Sequence, residues 1–183
     1  MPIFELPNEI IFPNPELAEE DGLLAVGGDL SPERLLAAYS TGIFPWYSEE
    51  SPILWWTLNP RLILLPKKAK FSKSLLKSVK NNEFEIRIDT CFQDVIEKCA
   101  FVKRKNQKET WITNDMINAY IKLHKLGYAH SFETFQNNKL VGGLYGVSIG
   151  KMFAGESMFH LVSNASKVAF YHLVAYIKKR NFN

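Results

Sequence analysis

Two cysteines in 183 residues are too few to hold a fold together covalently. Cys91 and Cys99 fall on one predicted helix, where eight residues separate them by about 12 Å, beyond disulfide reach. With no other thiol and no Cys-x-x-Cys, a zinc site is not supported either, and both cysteines read as core. The four histidines, His124, His130, His160 and His172, show no metal-ligand spacing. No apolar run is long enough to span a membrane and no signal-peptide pattern opens the chain, so a soluble cytoplasmic protein is expected. A formal net charge of +3 does not by itself announce nucleic-acid binding; local clustering has to decide. The phosphate-binding Gly-x-x-x-x-Gly-Lys-Ser/Thr loop, the dinucleotide fingerprint, His-Glu-x-x-His and the Gly-x-Ser-x-Gly elbow are all missing. Ser157, in Gly155-Glu156-Ser157, has no histidine that sequence places as its base. There are no internal repeats and no low-complexity segments.

What is there is a chain that can bury a core, with 46% hydrophobic and 13% aromatic residues. Residues 1–62 are rich in proline and turns. Leu23 to Val26 is a short buried segment ended by Gly27-Gly28. Ser31-Pro32-Glu33 starts a short helix that stops near Gly42. Trp46, Trp55 and Trp56 follow among loop-formers, with strands expected at Ile53–Trp56 and Leu62–Leu65. A small N-terminal module therefore ends near Arg61. Phe71 to Lys80 reads as an amphipathic helix, apolar through Phe71, Leu75, Leu76 and Val79 and cationic through Lys70, Lys73, Lys77 and Lys80. That lysine face is either solvated or turned to phosphates. Glu83–Asp89 alternates as a strand with Phe84, Ile86 and Ile88 inward, and Thr90 with Gln93 forms a capping box for a helix buried through Phe92, Val95, Ile96 and Cys99. Lys103–Lys108 reads as a polar, basic loop that is expected to be mobile. Thr113 opens a helix through Met116, Ile117, Tyr120 and Leu123 that Gly127 closes.

Residues 128–180 predict a strand, a turn at Gln136-Asn137-Asn138, a glycine-broken strand through Leu140–Val147, a turn at Ile149-Gly150, a strand over Lys151–Phe159, and a helix capped by Ser163 or Asn164. Strict alternation along Lys151–Phe159 sets Met152, Ala154, Glu156 and Met158 on one face, a lone carboxylate between methionines. Helices mixed with an antiparallel meander mean α+β. Loop indoles able to stack on a base, a lysine face and an acid in apolar surroundings suggest an enzyme acting on an aminoacylated nucleic acid. The same residues are also compatible with plain core packing and a solvated surface.

The runs DGLLAVGGDLSPERLLAAYSTGIFPWYS, PILWWTLNPR, TWIT…AYIKLHKLGYAHSFE and VGGLYGVSIGKMFAGESMF…NASK resemble the leucyl/phenylalanyl-tRNA–protein transferase family, in its order and spacing, from about residue 12 onward. The resemblance implies a small N-terminal α/β domain over residues 1–62 and, over 63–183, a domain related to the Gcn5-type acetyltransferases. The acetyl-CoA pyrophosphate loop is not recognisable. The family moves Leu or Phe from charged tRNA to proteins that begin with Arg or Lys, feeding the bacterial N-degron route, and needs neither ATP, cofactor nor metal. By position, Trp46 and Trp111 correspond to its contacts with the terminal adenosine. Leu144, Met158, Phe170 and Leu173 correspond to its aminoacyl pocket, and Phe153 and Glu156 to its reaction centre. Lys73, Lys77 and Lys80 lie on the helix it turns to the acceptor stem. In the family a strand carrying Asp-Cys-Gln follows the last helix, whereas this chain reaches Asn183 before it. The expectation is a C-terminally truncated transferase. A non-catalytic tRNA-binding remnant and an acyl-CoA N-acetyltransferase are the alternatives.

Overall fold

A computed structural model describes residues 3–102 and 111–180. The Lys103–Lys108 loop and residues 181–183 lie outside the described residues. The chain folds as two compact units, one built from residues up to 62 together with 111–123, the other from 63–102 and 124 onward. Helices and two four-stranded sheets make the protein α+β.

In the first unit, β1 (Phe4–Leu6), β2 (Leu23–Gly27), β3 (Phe44–Pro45) and β4 (Leu54–Trp56) form a sheet in the order β1-β2-β4-β3. The α1 helix (Pro32–Ser40) begins as its sequence dictates, with the Ser31 hydroxyl accepting from the Arg34 N–H and Pro32 at the first position. Leu35, Ala38 and Tyr39 bury its inner face. Trp55 is fully buried and donates its indole N–H to the Gly27 carbonyl at 2.9 Å. The guanidinium of Arg34, equally buried, donates to the carbonyls of Pro7 and Asn8, both at 3.0 Å, and so ties down the chain beyond β1. A later helix, whose residues Met116, Ile117, Tyr120 and Leu123 are buried, completes this unit, with the Tyr39 and Tyr120 hydroxyls hydrogen-bonded.

The second unit holds α2 (Lys73–Lys80), β5 (Glu85–Ile88) and α3 (Phe92–Phe101). After the intervening α4 (Asn114–Lys125) come β6 (Ala129–Gln136), β7 (Lys139–Ile149), β8 (Met152–His160) and α5 (Ala165–Lys179). The four strands form an antiparallel sheet in sequence order. Asn137 and Asn138, with φ of 51° and 58°, make the two-residue turn between β6 and β7. The doublet Gly142-Gly143 lets a helix approach each face of β7. A side chain at Gly142 would strike Ala165 of α5, and one at Gly143 would crowd Val95 of α3 and Phe159.

Several sequence expectations change. Leu62–Leu65 is not a strand; it is irregular and exposed, with Leu62 at 98%. The α2 helix starts at Lys73 with Ser72 as its cap, so Phe71 precedes it and packs on Tyr171 instead, with ring centroids 5.0 Å apart; Leu76 faces outward. Ile88, expected inward, is exposed because β5 is an edge strand. The Thr90–Gln93 capping box does not form. Thr90 donates to Glu133, and Gln93 bonds Glu97 at 2.8 Å. Cys91, expected in the core, is only half-buried at the start of α3. Asn164 does occupy the position before α5, but in a left-handed conformation (φ 66°) with no side-chain cap, and its amide donates to the Ser78 hydroxyl.

Candidate functional site

The hairpin β7–β8 departs from regular alternation at one residue. Tyr145 pairs with Ser157 but Gly146 pairs with Gly155, so Glu156 is an extra residue and the strand bulges there. Each residue beyond the bulge changes face relative to strict alternation. Phe153, Gly155 and Met158 therefore share the face of Leu144, while Met152 and Ala154 go with Ser157 and Phe159. The expected row of Met152, Ala154, Glu156 and Met158 does not exist, because an inserted residue shifts the phase of a period-2 pattern. The carboxylate of the extra residue belongs to neither paired row. Glu156 is half-buried there.

The face shared with Leu144 looks onto α5. Phe132, Leu144, Ala169 and Leu173 are buried together, and Phe153, Phe170, Tyr176 and Ile177 pack against them. Leu144, Phe153, Phe170 and Leu173 are thus in one apolar cluster. Met158 lies directly across the ladder from Leu144 and keeps 43% of its surface exposed. The ring of Phe153 covers Gly146 where a side chain would project, so only glycine fits at 146.

In the first unit, Trp46 follows β3 and is 49% exposed. Its backbone is fixed by its N–H to the Leu54 carbonyl (3.0 Å) and by the Trp56 indole N–H to its own carbonyl (2.6 Å), with the two indoles 5.6 Å apart. The next residues reach the segment that carries Trp111. The Thr113 hydroxyl donates to the Tyr47 hydroxyl at 3.2 Å, and the Glu49 carboxylate accepts from the Asn114 N–H at 2.9 Å. Burial pushes the Tyr47 phenol above its ordinary range. Trp111 itself is half-buried, so neither indole is sealed in a core. On α2, Lys73, Lys77 and Lys80 are all exposed.

Sequence reasoning missed two polar constellations. Glu133, with no exposed surface, accepts from the N–H and hydroxyl of Thr90, the Cys91 N–H and the Ser131 hydroxyl. It thereby caps α3 from a neighbouring strand. Burial, with the charge of Glu133 adding to it, raises the Cys91 thiol to about 11. Beside it, His130 Nδ1 lies 2.7 Å from Asp89, whose other oxygen accepts from the Ser131 N–H at 2.8 Å. The Asp89 bond raises the His130 pKa. Burial pushes Asp89 up, but its hydrogen bonds to His130 and Ser131 outweigh this and leave it below the usual carboxylate value. No local pattern announces either group, because Thr90 and Cys91 lie more than 40 residues from Glu133, as Asp89 does from His130.

Two family models match the chain. One, described as leucyl/phenylalanyl-tRNA protein transferase, covers residues 63–183; the other, described as the N-terminal domain of that transferase, covers residues 28–59. A protein of Syntrophobacter fumaroxidans named leucyl/phenylalanyl-tRNA–protein transferase is 54% identical over 182 residues, spanning 100% of this chain and 78% of that protein. One of the same name from Anaeromyxobacter sp. (strain Fw109-5) is 53% identical over 179 residues, spanning 98% of this chain and 76% of that protein. Desulfatibacillum aliphaticivorans has a further one, 54% identical over 182 residues, at 100% and 78%. With two models over most of its length and this identity to its relatives, the chain belongs to the leucyl/phenylalanyl-tRNA–protein transferase family.

Proposed function

We propose that this chain transfers Leu or Phe from charged tRNA to the α-amine of proteins beginning with Arg or Lys. The observation that carries the reading is the gathering of Leu144, Phe153, Phe170 and Leu173 into one apolar cluster beside a bulged carboxylate. That cluster, with Met158 at its exposed margin, would receive the aminoacyl side chain; a flexible thioether adapts to both Leu and Phe. The reaction is ester aminolysis. The neutral amine attacks the aminoacyl carbonyl, the new C–N bond forms, and the C–O bond to the terminal ribose breaks. The proton lost by the amine ends on the ribose oxygen. An amide is more stable than an ester, so no further energy source is required. An α-amine with an intrinsic pKa of roughly 8 is partly neutral at physiological pH. Orientation and modest proton handling then supply much of the rate. Glu156 would bind the cationic N-terminal group of the acceptor or orient its amine, with Phe153 beside it. Trp46 and Trp111 would stack on the terminal adenosine. Lys73, Lys77 and Lys80 would meet acceptor-stem phosphates, adding affinity without sequence choice. The reading uses no cofactor and no metal, and it places the reaction in the cytoplasm, upstream of N-degron proteolysis.

The test is incubation with tRNA carrying labelled Phe and a peptide that begins with Arg. Labelled peptide supports the reading. Binding of tRNA without transfer would leave only an RNA-binding module, and acetylation from acetyl-CoA would point to the acetyltransferase alternative. Glu156→Gln is expected to cut transfer roughly tenfold or more while tRNA binding persists; unchanged transfer removes the assigned role.

A further inference from the structure

Tyr47 and Glu49 carry a role that neither the family models nor the names of the relatives assign. The indoles of Trp46 and Trp111 each stand next to buried anchors. Tyr47, adjacent to the exposed Trp46, is only 9% exposed, while Ile112 and Thr113, which follow Trp111, are 2% and 3% exposed. In extended backbone, neighbouring side chains point to opposite sides, so burying Tyr47 turns Trp46 outward. The anchors are bonded to each other. The Met116 N–H donates to the Thr113 hydroxyl at 3.2 Å, and that hydroxyl donates onward to the Tyr47 hydroxyl at 3.2 Å. Two residues further along the loop, Glu49 accepts from the Asn114 N–H and satisfies a donor at the start of α4. The loop with Trp46 and the segment with Trp111 are therefore pinned at two places, one buried and one exposed.

We propose that Tyr47 and Glu49 are positioning residues that fix the separation of the Trp46 and Trp111 indoles, so that a purine enters a preformed slot. This rests on the reading of those indoles as the adenosine site. Stacking depends on spacing and tilt, and a slot already set loses little conformational freedom when filled. The adenosine contacts are then made by the tryptophans, and the pins act through them.

The trinucleotide CCA, the 3′ end of the tRNA, serves as probe, with affinity read by titration calorimetry and melting followed in parallel. Tyr47→Phe and Glu49→Ala are each expected to weaken CCA binding about fivefold, the loss of one hydrogen bond's worth of order. The KM for Phe-tRNA rises in step, and kcat moves less. Glu49→Gln, which keeps an acceptor oxygen for the Asn114 N–H, restores binding. If Tyr47→Phe does not fold, Glu49→Ala and its Gln rescue decide, because Glu49 is on the surface. Variants that melt earlier yet bind CCA as tightly as the parent overturn the positioning role. Trp46→Ala and Trp111→Ala separate the two levels: if both bind CCA like the parent, the adenosine reading itself falls; if they lose it while the pin variants do not, only the pins are wrong.

Discussion

Glu133 gathers four donors of the second unit without exposure to water. Glu133→Ala strands those donors and is expected to lower stability by about 3 kcal/mol in denaturant unfolding, with Glu133→Gln intermediate. The Gln variant also removes the charge that helps raise Cys91, so native-state alkylation of that thiol should quicken at a given pH. The Asp89–His130 pair makes stability depend on pH in both directions. A depressed carboxylate contributes above its unfolded pKa and loses that contribution as pH falls through its folded value. A raised imidazole contributes fully below its unfolded pKa and loses it as pH rises through its folded value. With ordinary values of 3.8 and 6.5, the pair is most stabilising near pH 5. The melting-temperature gap between the parent and His130→Gln should be widest there and narrow above pH 7. His124, 3.9 Å from the same carboxylate, stays in the variant and still helps to lower the Asp89 pKa. Little of this was legible in sequence, since Thr90 and Cys91 meet Glu133, and Asp89 meets His130, only through the antiparallel pairing of β5 and β6.

Elements were legible where their cause is local. Ser31-Pro32, the buried stripe of α3, the Asn137-Asn138 turn and the Gly127 stop each carry their reason within a few residues, and each forms as expected. The bulge at Glu156 was not legible. A bulge is a mismatch between two strands, and reading one strand by its alternation assigns the wrong face to everything past it. Deleting Glu156 should straighten β8 while keeping Phe153, Gly155 and Met158 on the face of Leu144, since Gly155 then directly precedes Ser157 and alternation is regular. The expected outcome is loss of transfer at least as large as in Glu156→Gln, with the fold and the apolar cluster retained. Gly146→Val tests the same geometry from the facing strand, since its side chain would meet the Phe153 ring. Leu62–Leu65 misled for the opposite reason. Four consecutive apolar residues look like a buried strand, yet no strand of either sheet pairs with them here.

At the scale of the whole molecule, a modest +3 charge leaves phosphate attraction to local arrays such as the α2 lysines. Replacing Lys73, Lys77 and Lys80 by Ala should weaken tRNA binding without changing preference among tRNA sequences. The slope of log affinity against log salt should fall by about one for each phosphate that a lysine no longer neutralises. The matched family models divide the chain after residue 59, whereas compact packing assigns 111–123 to the unit formed by the N-terminal residues. A fragment ending at residue 62 would lack the partners that bury Tyr39 and hold Tyr47, so it should stay unfolded by circular dichroism. The consequence is genetic as much as physical. A recombination event that swaps the front of this gene with that of a relative, in a single crossover near codon 62, parts the smaller body from a helix it needs. Chimeras of that design should survive only when the incoming front half still suits the resident Met116, Ile117 and Tyr120.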